Sequence, residues 1–155
     1  MSRGIFKSIE YIKNMIEEIL PKTDSHHGFI CVNDGTGLVT NLRDRFESQR
    51  EFILKIIGFP KDDGSTGLSA RKRISVEVQI MYSLPKDNGF RDLMITEDTS
   101  KVIDKIKGPE YDFNNTGIVS LELLSPSRVE NINDANGAFL ADILILPFDL
   151  LYLEQ

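Results

Sequence analysis

Apolar residues recur at steps of three and four over residues 5 to 20: Ile5, Ile9, Ile12, Ile16 and then Ile19 or Leu20. Lys7, Glu10, Lys13, Glu17 and Glu18 lie between them, so the spacing predicts an amphipathic helix whose apolar stripe rests on a sheet. Pro21 lacks the backbone donor that another turn requires and closes it. A second helix is predicted over residues 92 to 107. Leu93 or Met94, Thr99, Val102, Ile103 and Ile106 form its inner face, with Asp92 as cap and Asp98, Asp104, Lys105 and Lys107 pointing outward. Gly108-Pro109 is its stop signal.

Strict alternation marks the strands. Over residues 73 to 82, Ile74, Val76, Val78, Ile80 and Tyr82 share one face, and Arg73, Ser75, Glu77, Gln79 and Met81 share the other. Phe52, Leu54 and Ile56 alternate in the same way over residues 51 to 57, and Val119, Leu121 and Leu123 over 117 to 124. Gly28 to Val32 is a further short strand candidate, and the rest of residues 22 to 50 reads as irregular. Pro126 either ends the 117–124 strand or kinks it into Arg128 to Ile132. Asp134-Ala135-Asn136-Gly137 then turns the chain into a nearly all-apolar strand over 138 to 146, giving an antiparallel hairpin. Residues 147–155 read as a C-terminal tail, and residues 58–71 as a long charged hairpin loop.

These elements specify an α+β fold: a mainly antiparallel four- to five-stranded sheet with two helices packed on one face. All apolar stripes are then buried in a single domain, residues 1–155, and Glu77, Gln79, Ser120 and Glu122 face water.

Composition agrees with a self-sufficient core. The chain has 155 residues, 41% of them hydrophobic, which excludes a disordered tail. Its single cysteine, Cys31, rules out an intrachain disulfide and fits a reducing compartment. The net charge of −6 argues against a general nucleic-acid binder. No apolar run matches a signal peptide or a membrane span, so a soluble intracellular protein is expected, with no membrane partner.

The search for chemistry returns little. His26 and His27 are adjacent and diverge in direction, with no ligand spacing around them for a metal. Asp34-Gly35-Thr36-Gly37 is an aspartic-protease motif broken by a glycine, and it serves better as a turn. Gly64-Ser65-Thr66-Gly67 lacks the lysine of a phosphate loop. No catalytic, cofactor or metal site is expected. The distinctive feature is charge: Lys61, Asp62 and Asp63 on one shoulder of the glycine-rich loop, and Arg71, Lys72 and Arg73 on the other. Charges so placed on a hairpin suit a docking arm, because charge complementarity sets register and specificity.

The order helix, two strands joined by a long charged loop, helix, strand, strand resembles the tail terminator proteins of long-tailed bacteriophages, the lambda-type minor tail protein family. Segments such as Arg73 to Val78 and Thr96 to Ile103 carry the resemblance, which covers most of residues 5 to 146. It implies a non-enzymatic virion protein, assembled in the host cytoplasm into a hexameric ring. Such a ring ends tail-tube polymerisation and meets the tail tube protein and the head connector, while DNA passes through its lumen without specific binding. Another neck or tail-completion component fits the same pattern. A reading from a different class is a small cytoplasmic ligand-binding or enzymatic α+β domain, with a site near His26, His27, Cys31 and Asp34.

Overall fold

The computed structural model describes residues 4–19, 28–32, 49–66, 69–82, 90–107, 117–124, 126–133, 135–137 and 139–154. Helix α1 (Ile5–Glu17) starts after Gly4, whose φ of 104° lies in the left-handed region that glycine favours. The Ser8 hydroxyl donates to the Gly4 carbonyl at 3.0 Å. Ile12, Met15 and Ile16 are buried and Ile5, Ile9 and Ile19 pack beside them, as the stripe predicts. Helix α2 (Phe90–Lys107) begins two residues before the expected start. Asp92 therefore lies inside the first turn rather than capping it, where its charge still opposes the helix dipole. Met94, not the exposed Leu93, joins the inner face.

Six strands form one mixed sheet: β1 (Ile30–Cys31), β2 (Gln49–Thr66), β3 (Ser69–Tyr82), β4 (Ile118–Leu123), β5 (Arg128–Asn133) and β6 (Phe139–Glu154). The order is β1-β2-β3-β6-β4, with β5 also on β6. The α+β class and the two helices on one face stand. The strand count and the sheet's sense are corrected, because there are six strands and β1 runs parallel to β2. The 17 residues between Cys31 and Gln49 are long enough for the crossover that a parallel pair needs and a tight hairpin cannot supply.

Two further expectations change. The loop expected over 58–71 is mostly paired strand: β2 runs on to Thr66 and β3 begins at Ser69, with Lys61 opposite Arg73 and Asp62 opposite Lys72. The extra residues are absorbed by irregularities between Ile57 and Lys61 and between Asp62 and Ser65, where Gly58 (φ 79°) and Gly64 (φ 84°) bend the strand. The tail expected over 147–155 is likewise strand, since β6 passes through Pro147 to Glu154. Leu124 donates its N–H to the Pro147 carbonyl at 2.9 Å, so the Pro147 nitrogen faces the same side. That side is where β4 ends opposite Phe148 and β5 begins opposite Ile145. A proline fits in this central strand because the missing donor points into the gap between two shorter strands. Pro126 thus ends one strand and lies before another laid along the same edge of β6.

The helix-side core joins Phe52, Val76, Val78, Ile80, Leu146 and Phe148 to the inner faces of α1 and α2. The other face is not uniformly polar. Ile53, Met81, Ala141, Ile143 and Ile145 form a second apolar cluster with Ile132 and Val32. Met81, expected among the polar residues, is fully buried there, since its β6 neighbour is Ile143. No helix among the described residues is long and apolar enough to cross a membrane.

Candidate interaction surface

Strand alternation decides where each charge of the β2–β3 arm goes. Lys72 shares the helix face with Ile74, beside Asp62 on β2 and Glu154 on β6. Its ammonium bonds to Asp62 and lies 3.7 Å from Glu154. The Asp62 hydrogen bond raises the Lys72 pKa above 10.5; desolvation opposes it, and the Asp62 and Glu154 charges each add a smaller upward contribution. Asp62 is 81% exposed, so this pair orients the arm and adds little stability.

Arg73 and Lys61 lie opposite each other on the far face, where Arg73 pairs with Asp149 of β6. Arg71 shares that face, and its Nε is buried with no hydrogen-bond acceptor. Lys61 is exposed, and neither it nor Arg71 forms an ion pair among the described residues. The Asp63 side chain lies outside the described residues. The five described charges of the group read from sequence are thus split between two faces. Asp62, Lys72 and Arg73 have partners within the chain.

The far face continues as a charged band. Glu77 accepts from Gln79 at 3.0 Å and faces Arg128 at 3.5 Å; Arg128 also lies 3.7 Å from Glu130. Lys55 stands opposite Glu77 in register, and Glu122 opposite Asp149.

A buried polar group escaped the sequence reading. Asp98, expected to point outward from α2, is fully buried. It accepts from Arg50 Nε at 2.8 Å, Arg50 Nη2 at 3.0 Å and the Tyr82 hydroxyl at 2.7 Å. The Arg50 guanidinium also sits 5.5 Å from the Phe29 ring centroid, a cation–π distance. Arg50 has φ 56°, unusual for a side chain of this size, at an irregularity where two β2 residues oppose Met81. Burial pushes the Tyr82 pKa well above 10.0, and the Asp98 charge adds to it. The cluster ties the start of β2 and the middle of α2 to the end of β3. Its charges are spent on one another, which makes it a fastener rather than a reactive site.

Of the alternative ligand site, only Cys31 is described. It is partly buried, and its N–H donates to Glu17 Oε2 at 3.3 Å. His26, His27 and Asp34 lie outside the described residues. Among the described residues no three His, Cys, Asp or Glu side chains are grouped to hold a metal. The chain matches no profile of a known protein family. It also matches no curated protein.

Proposed function

We propose that the chain is a structural assembly protein of a phage or prophage tail, a tail terminator whose copies form a ring. The ring ends tube growth and joins the tail to the head connector. The observation that carries this reading is the order of elements: an amphipathic helix, a two-residue strand, two antiparallel strands forming a long charged arm, a second helix, and three closing strands of which β4 and β5 both pair antiparallel with β6. Lys61 and Arg71 are the arm cations with no ion pair among the described residues, whereas Lys72 and Arg73 are paired within the chain. A ring suits a molecule that presents different charged patches on different sides, because heterologous contacts join unlike patches around a closed rotation. The ring lumen passes DNA without holding it, which the net charge of −6 favours.

Negative-stain microscopy of the purified protein mixed with tail tubes tests this. Closed rings seated on tube ends are the expected result. Tubes that lengthen freely in the presence of the protein refute it.

A further inference from the structure

Among the described residues the sheet has two open stretches of edge. No described strand pairs with the outer side of β2 from Lys55 to Lys61, and none with that of β4 from Leu121 to Leu123 or of β5 at Val129. Phe52 turns its carbonyl outward to Val32, so alternation turns the amide and carbonyl of Ile56 outward as well. Leu124 turns its N–H inward to Pro147, so Leu121 and Leu123 present theirs outward on β4. Such edges are templates for another strand.

The exposed apolar side chains concentrate on the same two edges. Ile56 (45% exposed), Ile57 (40%) and Phe59 (87%) lie on β2, and Leu124 (54%) and Val129 (45%) lie at the junction of β4 and β5. The charges there are complementary. Lys55 and Lys61 on β2 are exposed and make no ion pair among the described residues, and neither does exposed Glu122 on β4. Strand sense fits too. β2 to β3, β3 to β6 and β6 to β4 are each antiparallel, so β2 and β4 run in opposite directions. A second copy set beside the first with its sheet in the same orientation brings β2 against β4 as an antiparallel pair.

We infer that the β2 edge from Lys55 to Lys61 is a docking surface for the β4–β5 edge of a second copy of this chain. Pro60 and the irregularity at Gly58 keep the backbone pairing short, so Ile57 and Phe59 supply apolar contact against Leu124 and Val129. Pairing β2 with its own copy is disfavoured, because it gathers Lys55 and Lys61 of both chains on one side, and like charges facing across strands repel. The same holds for Glu122 in a β4 pair. The contact is head-to-tail. It rests on the self-assembly part of the reading above and on nothing about tails.

Phe59→Asp and Leu124→Asp each disable one edge at an exposed site, so both variants keep the wild-type circular dichroism. In sedimentation velocity the wild type forms oligomers as concentration rises, and each variant alone stays monomeric over a concentration range about tenfold higher. An equimolar mixture of the two gives one-to-one dimers and nothing larger, because a single intact contact remains per pair. The Lys55→Glu/Lys61→Glu double variant is also monomeric, and adding Glu122→Lys restores assembly. A monomeric mixture, or a variant that alone assembles like the wild type, overturns the contact. Rings that persist in both variants overturn the contact and leave the tail reading standing. Assembly through this contact without capping of tubes does the reverse.

Discussion

Asp98 takes three hydrogen bonds in a site that excludes water, and two of them come from the guanidinium of Arg50. Asp98→Ala removes the carboxylate from that guanidinium, whose side chain is only 12% exposed, and is expected to cost about 3–5 kcal/mol in urea unfolding. Tyr82 in the same cluster gives a pH signature. Its pKa is raised in the folded chain, so both states carry the proton below pH 10 and its contribution is intact. Above the ordinary value of 10.0 the unfolded chain loses the proton first, and stability falls as pH rises toward the folded value. Tyr82→Phe is expected to flatten part of that fall when stability is measured between neutral and strongly alkaline pH. Tyr152 supplies a second, smaller share through its own burial. The inward placement of Tyr82 was legible in the sequence, but its joining to Arg50 and Asp98 was not. Arg50 and Asp98 are 48 positions apart, and the helical period that placed Asp98 outward carries no record of which strand end crosses above it.

The alternation over 73 to 82 located the inner face of β3 correctly, because an amphipathic strand writes its environment into every second residue, though the strand itself begins four residues earlier. Val78 sits at the centre of that face with no exposure. Val78→Asp buries a carboxylate without a partner, a cost on the order of 5 kcal/mol that rivals the whole stability of a small domain. Its far-ultraviolet circular dichroism is expected to be that of an unfolded chain. The stretch from Gly58 to Arg71 was not legible as strand, because glycine, proline and charge are ordinary loop signals there. What they encode is a pair of long strands with the surplus residues pushed out at bends. Gly58→Ala tests that geometry. An added Cβ meets nothing within 4 Å, so the expected loss of about 1–2 kcal/mol is conformational alone and appears as a lowered urea midpoint. Pro147 misleads in the same way: its effect on a strand depends on what lies opposite its nitrogen, and that belongs to the topology.

At the scale of the whole molecule, the net charge of −6 hides an uneven arrangement: lysines on one sheet edge and a glutamate on the other make no ion pair among the described residues. Copies that meet through those edges are held partly by screened charges. Raising ionic strength from about 0.1 M to about 1 M shortens the screening length from about 10 Å to about 3 Å. Oligomers measured by light scattering are expected to shrink over that range, and assembly that tightens with salt would count against charge pairing at the contact. The α+β class and the side on which the helices pack were readable from periodicity. The mixed sense of the sheet and the second apolar cluster were not, since both depend on which strands become neighbours. β6 shows the cost of that dependence most clearly. It is the latest strand in the chain, yet it lies between β3 on one side and β4 and β5 on the other. During synthesis at about 5–20 residues per second, the 56 residues between Tyr82 and Phe139 delay it by roughly 3 to 11 s. Through that interval β3 stands complete with one side vacant, and the equivalent strand of a neighbouring nascent chain is as good a match as its own.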